Sequence, residues 1–189
     1  TGSHNRPDHN GFKMMLGKSA FYGAAIQELG QIAAAGAYAE GARGSAVERP
    51  VFDDYVERLA AGLTDGAAGQ PRALKVAWDA GNGAAGRAMA ALVRRLPGEH
   101  ILLNEQIDGR FPSHHPDPTV AENLKQLQAA VLREGCDLGV AFDGDGDRVG
   151  AVDGQARIVW ADRLMVFFAR EVLQANPGVT IIADVKASQ

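Results

Sequence analysis

Disulfide cross-links are excluded within this chain, because its 189 residues include a single cysteine, Cys136. That thiol stands at the head of an apolar run and is expected to be a reduced core residue, which fits a cytoplasmic protein. No apolar run is long enough to span a bilayer, and no signal-peptide pattern is visible. An excess of charge of one sign is also small: 19 Lys and Arg face 23 Asp and Glu, for a formal charge of −4 and a pI near 5.7. With no basic stripe, a nucleic-acid partner is not expected. Neither is a membrane partner, and the oligomeric state is left open. No internal repeat of fixed short period appears. What the chain does have is apolar content, 46% of residues, enough for one large core or two small ones. It begins at Thr1 and stops just after the apolar run Ile181-Ile-Ala-Asp-Val185. Both ends are expected to be cuts through a longer protein.

The pattern along the chain alternates between strand and helix. Alanine-rich residues 22–35 form a helix with Ile26, Leu29, Ile32 and Ala33 on one face. Residues 41–50 make a linker, and residues 51–63 a second helix with Phe52, Val56 and Leu59 inward. Leu74-Lys-Val-Ala-Trp78 is a strand, residues 86–96 a helix, and Ile101-Leu-Leu103 a strand. Residues 109–118 form a long polar loop. Thr119 and Glu122 have capping-box spacing ahead of the stripe Val120, Leu124, Leu127 and Val131, and Gly135 supplies the stop. Residues 136–142 and 149–152 are strands separated by too few residues for a crossover. Asp162 opens a helix to Leu173, ended by Asn176-Pro-Gly178, and residues 179–185 form a last strand. The tight return after residue 148 makes the sheet of this α/β chain mixed.

Between those two strands lies Asp143-Gly-Asp-Gly-Asp-Arg148, the chain's sharpest chemical signal. Glycines at alternate positions let the backbone turn so that three carboxylates point at one centre. Three clustered negative charges repel unless a cation sits among them, and a hard divalent ion held by oxygen is the simplest solution. An EF-hand is excluded: the sixth and twelfth positions, where that loop needs Gly and a bidentate acid, hold Arg148 and Gly154. The flanks are strands where an EF-hand has helices. Arg148 beside a cation suits two-pronged phosphate binding.

Other strings compete or cooperate. Gly81-Asn-Gly-Ala-Ala-Gly86 matches G-x-G-x-x-G between a strand and a helix, with Glu105 downstream in place for a ribose. It supports an alternative reading as a dinucleotide-binding α/β domain. Ser3-His4-Asn5 and Lys13 concentrate a hydroxyl, an imidazole, an amide and an ammonium in one short stretch. The serine there needs a base or a cation to act as a nucleophile. His114 and His115 point apart in an extended loop, so they pack or touch substrate; they do not clamp a metal. Lys186 follows an apolar strand, at the end where α/β sheets collect ligands.

Together, Thr1-Gly-Ser-His-Asn-Arg-Pro-Asp-His-Asn-Gly-Phe-Lys13, Trp78-Asp-Ala-Gly-Asn-Gly83, the aspartate run and Asp184-Val-Lys186 resemble the α-D-phosphohexomutases. The branch they are most similar to is bacterial phosphomannomutase/phosphoglucomutase. The resemblance runs through essentially the whole chain, in the family's order. It implies mixed-sheet, three-layer α/β domains and a piece of a four-domain protein. Residues 1–48 would end the first domain, 49–157 would form the second, and 158–189 would begin the third. It implies a phosphorylated catalytic Ser3, and Mg²⁺ held by Asp143, Asp145, Asp147 and the serine phosphate. Lys13 and Arg148 would line the reaction centre, His4 and Asn5 would support the serine loop, and Lys186 would approach the sugar. The implied substrates are hexose phosphates, interconverted between 1- and 6-phosphates through a bisphosphorylated intermediate. The family's domain-three sugar-selecting loop and phosphate-binding fourth domain have no counterpart here, so little turnover is expected of the 189 residues alone. Arg6 stands where the family usually has proline, and His9 where tyrosine is common. Under this reading the 81–86 turn is structural.

Overall fold

A computed structural model describes residues 8–9, 11–42, 44–65, 72–184 and 187. They fall into two units, Thr1–Val51 and Phe52–Gln189. In the first unit β1 (Met14–Leu16) and β2 (Ser19–Phe21) pair antiparallel, with Met14 opposite Phe21. Gly17 at φ 61° makes the reversal between them. Helix α1 (Ala24–Ala35) follows and ends on Gly36 in the left-handed conformation. The apolar face expected of it forms, but Ile26, Leu29 and Ile32 each remain about two-fifths exposed.

The second unit is a three-layer α/β structure around a five-stranded mixed sheet of order β4-β3-β5-β6-β7. After α2 (Phe52–Asp65) come β3 (Leu74–Asp79), α3 (Ala85–Val93), β4 (Gly98–Leu103), α4 (Lys125–Glu134), β5 (Leu138–Phe142), β6 (Val149–Asp153), β7 (Ile158–Val159) and α5 (Ala161–Ala175). Strands β4, β3 and β5 are parallel, and β6 and β7 continue antiparallel. The chain leaves β3 toward β4 and then returns to β3's other side. Its order therefore reverses at β3, the position where open α/β sheets gather functional loops at their carboxyl ends.

Period-two alternation sorts the strands' side chains between the two helical layers. Ala77 and Ala141 turn to α4, where Leu127 and Val131 are fully buried. Each of those two side chains contributes roughly 1.5–3 kcal/mol by leaving water. Gly139 lets α4 lie close: a Cβ there would sit 2.9 Å from Leu127 and Val131. On the other face Trp78, Leu102 and Phe142 pack with Met89 and Val93 of α3, Trp78 and Phe142 stacking at 6.3 Å.

Several expected elements change. Strand β5 begins at Leu138, after Cys136, because the Asp137 carboxylate takes the hydrogen bond from the Lys75 amide (2.8 Å) that a ladder partner would receive. Cys136 itself is buried and free. Strand β4 reaches back to Gly98, whose φ of 112° allows it to lie against Leu74. The Thr119 capping box does not form. The Thr119 hydroxyl donates to Asp117 (2.7 Å), and a short 3₁₀ turn over Ala121–Leu124 leads into α4, leaving Val120 exposed. Gly135 does end α4, at φ 64°. Residues 179–184 are irregular, since no described strand pairs with them.

Candidate metal centre at the carboxyl edge of the sheet

The loop between β5 and β6 is shaped by its own first residue. Asp143 is 0% exposed. Its Oδ1 accepts from the Arg148 backbone amide (3.0 Å) and its Oδ2 from Arg148 Nε (2.9 Å). The Asp143 amide donates to the Arg148 carbonyl at 3.3 Å, and the Gly146 amide to the Asp143 carbonyl at 3.1 Å. Gly146 sits at φ 77°, a conformation that a side chain would strain. The loop thereby closes on Asp143, with Asp145 half-buried and Asp147 exposed.

One oxygen each of Asp143, Asp145 and Asp147 lies within 4.8 Å of the others. Oxygens on opposite sides of one small divalent ion stand about 4–5 Å apart, so the three donors fit a single hard cation. The donor set is all carboxylate oxygen, which favours Mg²⁺, Mn²⁺ or Ca²⁺ over softer metals.

Arg148 is anchored from two sides. Its Nη1 donates to Asp117 Oδ1 (3.2 Å), while its Nε is held by Asp143. Burial works against its charge, but the Asp143 hydrogen bond and the Asp117, Asp143 and Asp147 charges outweigh burial and raise its pKa above the ordinary arginine value. Burial likewise pushes the Asp117 carboxyl up, yet two hydrogen bonds from Thr119 and the charge of Arg148 leave it below the usual range. The guanidinium expected to grip phosphate is therefore first a brace for the aspartate loop.

The turn of residues 81–86 packs against protein at each of its glycines. A Cβ on Gly81 would lie 2.9 Å from Pro116, and one on Gly83 would lie 2.7 Å from the Gly144 carbonyl. A Cβ on Gly86 would collide with the Glu105 carbonyl. In a dinucleotide site the second glycine admits a pyrophosphate; here that approach belongs to the aspartate loop. The Ala84 amide donates to the Gly144 carbonyl (2.9 Å), so the turn supports that loop. Glu105 meets α3 through its backbone, where a dinucleotide-binding turn would have it meet a ribose.

Lys13 is exposed in the N-terminal unit, immediately before β1. Ser3, His4, Asn5 and Lys186 lie outside the described residues. Sequence reasoning assigned no role to Asp79, Asn104 or Asp117, which the fold makes central. Asp79 is fully buried and accepts from the Gly81 amide (2.9 Å), Asn104 Nδ2 (2.8 Å) and His114 Nε2 (2.9 Å). Its signal was an acid at the end of a strand whose other residues, Lys75 apart, are apolar. Of the readings given to His114 and His115, packing is the one His114 realises, through Asp79.

A sequence profile for the phosphoglucomutase/phosphomannomutase α/β/α domain II matches residues 53–156, more than half of the chain. The chain belongs to the phosphoglucomutase/phosphomannomutase family. It is 41% identical to a phosphoglucomutase of Neisseria meningitidis serogroup B over 190 aligned positions, all of this chain and 40% of that protein. It is 42% identical to a phosphomannomutase/phosphoglucomutase of Pseudomonas aeruginosa, again over its whole length and 40% of the relative. Among solved structures, a family protein from Burkholderia thailandensis superposes with a TM-score of 0.82 at 44% identity, covering 94% of this chain and 38% of the other. The chain thus spans about two-fifths of the length of the curated relatives it matches. The family and its α/β/α fold agree with the resemblance drawn from the sequence, and they do not favour the dinucleotide alternative.

Proposed function

We propose that this chain carries the phosphoryl-transfer half of a phosphohexomutase that interconverts 1- and 6-phosphates of mannose or glucose. The observation that carries the reading is the convergence of Asp143, Asp145 and Asp147 at the carboxyl end of β5. It occurs in a chain whose relatives over its full length are named phosphoglucomutase and phosphomannomutase. Those three aspartates are the residues that would hold Mg²⁺, which when bound supplies charge neutralisation for a transferring phosphoryl group.

The chain's own residues do the rest. Ser3 gives its phosphoryl group to the free hydroxyl of a hexose monophosphate, forming a bisphosphorylated sugar. Ser3 then takes the other phosphoryl group back, so phosphate is conserved over the cycle. Lys13 lines this centre and handles the hydroxyl proton, while His4 and Asn5 support the serine loop. Arg148 keeps Asp143 in place and adds positive charge to a site where anions must gather. Lys186 approaches the sugar. In this reading residues 1–48 close a first domain, 49–157 make the second and 158–189 begin a third, and the enzyme works in the cytoplasm.

The test is made in the full-length protein that contains this chain. Intact-mass analysis is expected to find one phosphate, placed on Ser3 by peptide mapping. Ser3→Ala is expected to lower mutase turnover by at least ~10³-fold, the scale of losing a nucleophile. Unchanged turnover in Ser3→Ala contradicts the reading. The 189-residue chain alone is expected to show little turnover.

A further inference from the structure

His114 faces two acceptors. Its Nε2 is 2.9 Å from Asp79 Oδ2, and its Nδ1 is 3.0 Å from the His115 carbonyl oxygen. The other polar neighbour among the described residues, Asn104 Nδ2 at 3.5 Å, directs its two protons to Asp79 Oδ1 (2.8 Å) and Gln126 Oε1 (3.0 Å). A neutral imidazole has one N–H and would turn a lone pair toward one of the two oxygens; an imidazolium satisfies both. The pair is enclosed, with side-chain exposures of 16% for His114 and 0% for Asp79.

A chain of contacts runs onward from this pair. The His115 carbonyl that receives Nδ1 also receives the Asp117 amide at 2.9 Å. Asp117 Oδ1 then takes Arg148 Nη1, and Arg148 Nε holds Asp143. Pro116, between the two histidines and Asp117, is fully buried and sits on Gly81. The segment therefore has little room to shift on its own.

We propose that His114 and Asp79 are positioning residues for the aspartate loop: a buried imidazolium–carboxylate pair that fixes segment 114–117, so that Asp117 seats Arg148 against Asp143. The link to metal chemistry rests on the reading of the previous section. The link to Arg148 does not. Among the described groups facing His114, Asp79 of β3 is the charged one; Asn104 at the end of β4 is an amide, itself bonded to Gln126 of α4, and the loop contributes the His115 carbonyl.

The hydrogen bond to Asp79 raises the His114 pKa from its ordinary 6.5. Burial opposes that rise, and the His115 carbonyl and the Asp79 charge add to it. The clamp is then complete below pH 6.5 and is released as pH rises through the raised folded-state value.

The experiment is nitrogen-detected NMR of the whole 189-residue chain, without metal, across pH 6 to 10. Two protonated ring nitrogens are expected for His114 at the acid end of that range, where the raised pKa keeps the ring charged. The Arg148 Nε–H resonance should change with the same midpoint as the His114 ring, and in His114→Gln it should lie at its high-pH position throughout. An Arg148 signal indifferent to the His114 titration overturns the proposal, and that arm needs no variant to fold. Mn²⁺ titration at pH 7 supplies the second readout: His114→Gln should bind about tenfold more weakly than wild type, as when an outer support of a ligand is lost. Equal affinity in His114→Gln overturns the role in positioning the metal ligands. Asp145→Asn is the control for the metal reading itself. If wild type and Asp145→Asn bind Mn²⁺ alike while Arg148 still follows His114, the metal reading fails and the coupling to Arg148 stands.

Discussion

The turn after β3 and the loop after β5 use the same alphabet: glycines two or three residues apart, at the carboxyl ends of adjacent parallel strands. In the first, each glycine makes room for another part of the protein, namely Pro116, the Gly144 carbonyl and the Glu105 carbonyl. In the second, Gly146 takes a φ of 77° that lets the backbone turn, and carboxylates converge around it. The first is held by packing, the second by charge paired with Arg148 and Asp117. Glycine spacing alone reports that a backbone is approached closely. What a Cβ would meet decides whether the visitor is a ligand or the fold itself.

That contrast can be attacked from either side. Gly86→Ala places a methyl group on the Glu105 backbone, which has nowhere to go, and is expected to cost about 3 kcal/mol or more of unfolding free energy in urea titrations. A cost under about 1 kcal/mol would mean the turn is not sealed by packing. Arg148→Ala leaves the buried Asp143 carboxylate without its cation. Because the arginine side chain is about one-third exposed, a loss of roughly 2–3 kcal/mol is expected, below the full buried-pair value. Added Mg²⁺ should restore part of it if the loop is a cation site. Gly83→Ala pushes on the Gly144 carbonyl and is expected to cost about 1–2 kcal/mol. It should also shrink any Mg²⁺-induced rise in melting temperature, since the two loops touch there. At the small end, Lys125→Ala removes an exposed pair with Glu122 and should change stability by no more than about 0.5 kcal/mol.

Much of the second unit was legible because its signals are local and redundant. The alternation Val76/Ala77/Trp78, the stripe Leu124, Leu127, Val131 and the stop at Gly135 each point to the observed element. What was not legible involves competition between side chain and backbone. Asp137 takes the start of β5's ladder, and Asp117 takes the Thr119 hydroxyl that a capping box would have used. The aspartate loop could be read as a cation site because like charges at alternate positions repel until a cation lies among them. Its supports could not, because Asp79, Asn104, His114 and Asp117 are scattered over 39 residues and meet only once β3 and β4 pair. Arg148 illustrates both cases: its place beside the aspartates is in the sequence, but its commitment to Asp143 and Asp117 is a property of the fold.

Calorimetric titration of Mg²⁺ into the wild-type chain and into Asp145→Asn tests the aspartate loop as a divalent-cation site most directly. One ion bound by wild type, and no binding heat in Asp145→Asn, is the predicted result. Equal binding by both proteins, or none by wild type, would contradict it.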